Sequence, residues 1–244
     1  MRVDTASQGS KRFIMRVCLF IALASLVAML APARGAVVSD PTYEFATPVG
    51  KFNVQLFPDI APETVANFQS YLASGAYLDT FFHRSVPGFI VQGGGFTLEG
   101  NTLTPIPSQP PVVNEYQLSN LRGTIAMAKV GGDPNSATSQ WFFNLGDNSA
   151  NLNNQNGGFT VFGRIVGDMG LAVMDQIAAL PTRNIGGPYN QLPVFNHDGT
   201  SSVQANNLVF ISIRQVVPEP GSAHFLALGF ASLLSLRRWP ARSR

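Results

Sequence analysis

The run Phe82-His83-Arg84-Ser85-Val86-Pro87-Gly88-Phe89-Ile90-Val91-Gln92-Gly93-Gly94-Gly95-Phe96 leaves the backbone few options. Proline presets φ for the first central position of a turn, and glycine tolerates the positive φ that often follows. The chain therefore reverses around Val86-Pro87-Gly88, and the flanking runs Thr80–Arg84 and Gly88–Gly94 read as two short neighbouring strands. One arginine, one glutamine and several large apolar side chains share those strands. Gly93-Gly94-Gly95 is not a phosphate loop, because no Gly-Lys-Ser/Thr follows and no helix opens there.

Both ends of the 244-residue chain carry sorting-type patterns. Lys11, Arg12 and Arg16 precede an apolar run from Val17 to Leu30 and then Ala31-Pro32-Ala33, the layout of a secretory signal peptide. Met15 offers an alternative start. A buried core helix is the competing reading, but no polar face interrupts the run. It is shorter than the ~20 residues that span a bilayer. At the other end, Val217-Pro218-Glu219-Pro220 precedes an apolar run from Ala223 to Leu236 and then Arg237 and Arg238. This resembles the PEP-CTERM sorting signal of Gram-negative bacteria. The resemblance implies an exosortase-like processing enzyme as a partner and a transient membrane association; a plain tail anchor is the alternative. The expected division is a signal peptide over 1–36, one domain over 37–217 and a sorting segment over 218–244.

Setting the ends aside reverses the charge. Nine of the 16 basic residues but only two of the 14 acidic ones lie outside 37–217, so the core has seven basic and twelve acidic residues, a net of −5. Nucleic-acid binding, which needs clustered Lys and Arg, is disfavoured. The single cysteine, Cys18, falls in the signal segment, so the core has neither disulfide nor thiol chemistry. Histidines at 83, 197 and 224 are scattered, so no metal site is expected. Ser139 lacks a nucleophile-elbow context, which disfavours a hydrolase triad.

Along the core, Tyr43–Thr47 and Lys51–Phe57 alternate in polarity and form a hairpin through Pro48-Val49-Gly50. Pro62-Glu63-Thr64 opens an amphipathic helix carrying Val65, Phe68, Tyr71 and Leu72, which ends at Gly75. Gly123–Lys129, Gln140–Leu145, Phe159–Val166 and Leu208–Gln215 are further strands, and Asp168–Leu180 is a second helix stopped by Pro181. Thr97–Leu118 and Thr182–Asn207 read as long polar loops. Periodicity alone gives a mainly β domain with two helices and no internal repeat.

Several separated segments resemble the cyclophilin family of peptidyl-prolyl isomerases: Phe82–Phe96, Gly123–Gly131, Asn135–Asn144 and Gly157–Val166, with Pro62-Glu63-Thr64-Val65-Ala66-Asn67-Phe68 matching the family's first helix. The resemblance spans most of 43–215. It implies a closed eight-stranded antiparallel barrel capped by two helices, a cofactor-free and monomeric enzyme, and proline-containing polypeptides as partners. It implies Arg84, Gln92 and Phe89 as catalytic residues. Substrate contacts would come from His83, Ile90, Ala128, Lys129, Gln140, Phe142, Leu152 and Phe159, with His83 in a supporting position and Ala128 and Lys129 offering main chain. Taken alone, Phe89, Ile90 and Phe142 read as core residues and Arg84 as a surface cation; the motif reverses that. Asn151, just before Leu152, replaces the usual aromatic, and Lys129 and Phe159 also depart from family habit. These departures bear on peptide preference and weaken the expected cyclosporin binding, while the basic reaction stands. The same pocket used as a proline-segment binding or chaperone module with little turnover is the competing class, and a structural protein borrowing the fold is a third.

Overall fold

The computed structural model describes residues 40–217, and the sorting segments expected at 1–36 and 218–244 lie outside the described residues. In chain order the elements are β1 (Thr42–Ala46), β2 (Lys51–Leu56), α1 (Pro62–Ala73), β3 (Thr80–Phe81), β4 (Arg84–Val86), β5 (Ile90–Gly93), β6 (Phe96–Glu99) and β7 (Thr102–Pro105). Then come β8 (Thr124–Met127), β9 (Trp141–Asn144), α2 (Ser149–Leu152), β10 (Val161–Val166), α3 (Asp168–Ala178), β11 (Thr182–Arg183), β12 (Leu192–Pro193) and β13 (Phe210–Gln215).

Alternating polarity does in β1 and β2 what a half-buried hairpin requires: Tyr43, Phe45, Phe52, Val54 and Leu56 go inward while their neighbours face out. Thr47 Oγ1 accepts from the Val49 and Gly50 amides at 3.2 Å, tightening the turn between them. Eleven strands join in one antiparallel sheet, ordered β4-β5-β9-β8-β10-β2-β1-β13-β3-β6-β7. Its curl brings the ends together on one bent segment, Thr80–Val86. Phe82 donates its amide to Val209 O at 3.1 Å, beside β13, and His83 donates to Gln92 O at 3.1 Å, in β5. With Thr80–Val86 counted as a single bent strand, eight strands complete the circuit.

Inside lies an aromatic core. Phe45 is fully buried, with ring centroids 5.3 Å from Phe52, 5.5 Å from Trp141 and 5.6 Å from Phe143. Helix α1 adds Val65, Phe68 and Tyr71 to it, and α3 adds Met174 and Ile177. Proline at its first turn suits α1, and its remaining orphan amides find a remote cap. Glu115 accepts from the Glu63 amide at 3.1 Å and from the Thr64 amide at 2.8 Å.

Two expectations need correction. Thr97–Leu118 is not a loop throughout, because Phe96–Glu99 and Thr102–Pro105 pair as a hairpin with Leu98 opposite Leu103. Gly100 takes φ +62 at its turn, and the prolines that suggested a loop begin only at Pro105, the last paired residue. Thr182–Asn207 is likewise anchored: β11 pairs with β12, and Leu192 and Val194 join Phe81, Phe96 and Leu208 in a second small core. Its buried apolar residues gather in the short run Leu192-Pro193-Val194-Phe195, too short for a periodic signal to mark them. The short helix α2 is a further addition.

Phe45→Ala removes the ring on which four other aromatics pack. The expected cost is about 3–5 kcal/mol, which lowers Tm by roughly 10 °C in a domain of this size. A calorimetric shift below about 3 °C would contradict this picture of the core.

Candidate active site

Strand register builds the site as a row. Arg84 on β4 lies opposite Gln92 on β5, Gln92 opposite Phe142 on β9, Phe142 opposite Ala126 on β8, and Ala126 opposite Val161 on β10. Directly opposed residues share a face, and this face is the outer wall of the barrel. Along β9 the alternation is explicit: Trp141 and Phe143 belong to the inner core, whereas Phe142 packs outside with Ile90, Ala126, Leu152 and Val161. The Pro-Gly turn makes the register possible. Phe89 donates its amide to Val86 O at 2.9 Å, and Gly88 adopts φ +75 beside it.

Around this row lies a pocket of about 340 Å³ lined by Arg84, Phe89, Ile90, Gln92, Ala128, Lys129, Phe142, Asn151, Leu152, Gln155 and Phe159. Gln140 lies in an adjoining hollow of about 150 Å³ that shares Gln92, Ala128 and Lys129. Arg84 Nη1 donates to Gln92 Oε1 over a long 3.5 Å, and Gln92 Nε2 donates to Gln140 Oε1 at 2.8 Å. The guanidinium is thus steered by an amide relay in the wall of the pocket. A second hollow, also about 340 Å³, lies between the end of α1 and β13; its only charged lining residue is Asp79, the wrong sign for an electron-rich amide.

Two expected substrate contacts behave differently. His83 does not line the pocket: successive side chains of an extended segment take opposite faces, and its ring is buried edge-on against Phe96 at 4.8 Å. Desolvation lowers its pKa from 6.5 to about 4, assisted by the Arg84 charge and opposed by a hydrogen bond with Gln140. Lys129 lines the pocket, but its ammonium turns into the neighbouring loop, donating to Asn156 O at 2.8 Å and Gly158 O at 2.6 Å. Its pKa falls below the ordinary lysine value because desolvation outweighs the attraction of Asp133. The Ala128 amide is taken by Gln140 O at 2.9 Å.

Sequence reasoning missed Gln155 at the rim and the asparagines beneath the pocket. Asn148 donates to Phe89 O at 2.8 Å and to Asn144 Oδ1 at 2.7 Å. Asn144 donates to Asn120 Oδ1 at 3.2 Å, and Asn120 donates to Phe159 O at 3.0 Å. This buried chain fixes Phe89 and Phe159 on two sides of the pocket. Asparagine after a hydrophobic strand reads as ordinary turn chemistry, so no local signal revealed it.

A curled antiparallel barrel with an arginine facing an apolar pocket on its outer wall has the architecture of the cyclophilin fold. A sequence profile described as cyclophilin type peptidyl-prolyl cis-trans isomerase/CLD matches residues 42–197. The chain is 39% identical over 187 residues to peptidyl-prolyl cis-trans isomerase A of Dickeya dadantii (strain 3937), covering 75% of this chain and 92% of that protein. It is 38% identical over 148 residues to peptidyl-prolyl cis-trans isomerase B of Escherichia coli (strain K12), covering 58% of this chain and 87% of that one. A cyclophilin type isomerase of Cryptosporidium parvum, crystallised in the presence of the dipeptide Ala-Pro, shares the fold with a TM-score of 0.53 at 22% identity, covering 72% of this chain and 99% of that one. The chain belongs to the cyclophilin type peptidyl-prolyl cis-trans isomerase family.

His83 makes a testable contribution to acid sensitivity. With a folded pKa near 4 and an unfolded value near 6.5, the unfolded chain takes up a proton that the folded one refuses. Stability is therefore lost as pH falls through that window, by about 3 kcal/mol in all from this group. In thermal melts between pH 7 and pH 4, His83→Gln is expected to lose distinctly less Tm than wild type. Parallel losses in the two proteins would refute the assignment.

Proposed function

We propose that this chain, a peptidyl-prolyl cis-trans isomerase, accelerates rotation of X–Pro bonds in exported polypeptides. The observation that carries the reading is Arg84 in the wall of a pocket whose other walls are Phe89, Ile90, Phe142, Leu152 and Phe159. Rotation about a peptide bond meets a barrier of ~18–20 kcal/mol because resonance gives C–N double-bond character. X–Pro isomers lie close in energy but exchange over tens to hundreds of seconds. A catalyst therefore needs only to bind the twisted bond more tightly than either planar form.

The apolar walls accept the pyrrolidine ring and exclude water. As the bond twists, the prolyl nitrogen becomes pyramidal and regains a lone pair. Arg84 donates to that nitrogen and to the proline carbonyl, interactions that grow in the transition state. A guanidinium suits the task because its charge is permanent and its donors are held in a rigid fork. Gln92 holds the fork in place and meets substrate backbone, and Gln140 holds Gln92. No nucleophile or proton exchange enters the cycle.

The destination is read from the ends of the chain. Basic, apolar and small residues in order over 1–36 support export. Pro218-Glu219-Pro220, the apolar run and the terminal arginines support PEP-CTERM-like sorting at the envelope of a Gram-negative bacterium, with transient membrane association and an exosortase-like enzyme as processing partner.

Arg84→Ala is expected to lower kcat/KM on a proline peptide by roughly a hundredfold while changing peptide Kd by less than about threefold. Equal losses in both would make the site a binding module instead. For the sorting reading, the intact mass of the protein recovered from its native host is expected to correspond to loss of the segments before about residue 37 and after Pro220. A full-length mass in the cytoplasmic fraction would overturn it.

A further inference from the structure

Three consecutive residues beside the pocket hold left-handed backbone: Asn156 at φ +50, Gly157 at φ +74 and Gly158 at φ +76. The carbonyls of Asn156 and Gly158 in this run converge on the Lys129 ammonium. It donates to Asn156 O at 2.8 Å, Gly158 O at 2.6 Å and Asn114 Oδ1 at 3.2 Å. An ammonium has three protons, and each has an acceptor. The Phe159 ring lies under the same charge, 4.9 Å from Nζ.

The acceptors are themselves fixed. Asn114 donates to Gly157 O at 2.8 Å and accepts from Thr160 Oγ1 at 2.8 Å. Asn156 grips back, donating to Val130 O at 2.8 Å. Gly158 has no room to be anything else, since a Cβ there would run into the Tyr116 ring. Three chain segments, around Asn114, Lys129 and Asn156, thus meet on a single cation.

That junction holds the loop carrying Asn151, Leu152, Gln155 and Phe159, which form the pocket wall other than the one bearing Arg84. We infer that Lys129 is a positioning residue: its ammonium rivets the Asn151–Phe159 wall and so sets the width of the proline pocket, without touching the substrate through its charge. Removing the ammonium leaves inward carbonyls repelling one another with no donor between them. The wall then relaxes while Arg84, Gln92 and Gln140 keep their places. Ground state and transition state lose the same apolar contacts, so the loss falls on KM rather than kcat.

The inference rests on the isomerase reading of the pocket, and the test separates the two. Kinetics on a proline peptide compare wild type with Lys129→Met and Lys129→Arg. Lys129→Met is expected to raise KM about tenfold with kcat within about twofold. Lys129→Arg, which keeps charge and donors, is expected to return KM to within about threefold of wild type. In wild type, ¹H–¹⁵N spectroscopy should show a slowly exchanging ammonium signal that disappears in Lys129→Arg. A KM unchanged in Lys129→Met, or a freely exchanging Lys129 ammonium, overturns the inference. Wild type without turnover defeats the isomerase reading instead, and the ammonium signal still tests the rivet.

Discussion

Everything in the domain hangs on a change of partner between two adjacent amides. Phe82 donates to Val209 O and His83 donates to Gln92 O, each at 3.1 Å. Phe81, Phe82, His83 and Ser85 are all buried, so water cannot satisfy a backbone group there and the change of partner must be complete. This one exchange closes the sheet into a barrel. It also delivers the next residue, Arg84, to the outer face in register with Gln92. Fold closure and placement of the cation are therefore one event.

The same strands serve two faces at once. On β9, Trp141 and Phe143 fill the barrel while Phe142 floors the pocket and Asn144 joins the polar chain beneath it. A pocket built on such a strand inherits the rigidity of an interdigitated aromatic core. That suits a reaction driven by shape and a fixed charge, because a catalyst that binds a twisted bond preferentially must not reshape itself around the planar one.

Much of this was legible where local chemistry and global fold agree. Alternation in Lys51–Leu56 and the spacing of Val65, Phe68 and Tyr71 gave the hairpin and the first helix, and Pro87-Gly88 marked the turn between the strands that carry Arg84 and Gln92. The barrel itself came from the family motifs, since closure depends on Val209 and Gln92 meeting a common segment from distant points in the chain. What stayed hidden is of the same non-local kind. Glu115 caps a helix by accepting from the Glu63 amide 52 residues earlier, and the core around Leu192 forms only when Phe81 and Phe96 arrive. Direction was hidden too. A motif places His83 and Lys129 beside the site, but only the fold shows that one ring turns to Phe96 and one ammonium into a loop.

The two cations of the pocket show why residue type alone does not assign a role. Arg84 has five donors, and its one side-chain bond to the protein among the described residues is the long 3.5 Å contact with Gln92. Lys129 has three, all committed to acceptors within 3.2 Å. On the proposed reading, a proline peptide entering this pocket meets one available cation among the described residues. In the proposed mechanism the guanidinium keeps its donors for a nitrogen whose lone pair exists only while the bond is twisted. In the inferred rivet the ammonium spends its own on holding the opposite wall still. Neither role survives on charge alone: an ammonium at 84 would lack the fork that Gln92 orients, and an ammonium at 129 released from its acceptors would offer the planar substrate a second charge and erode the preference for the twisted state.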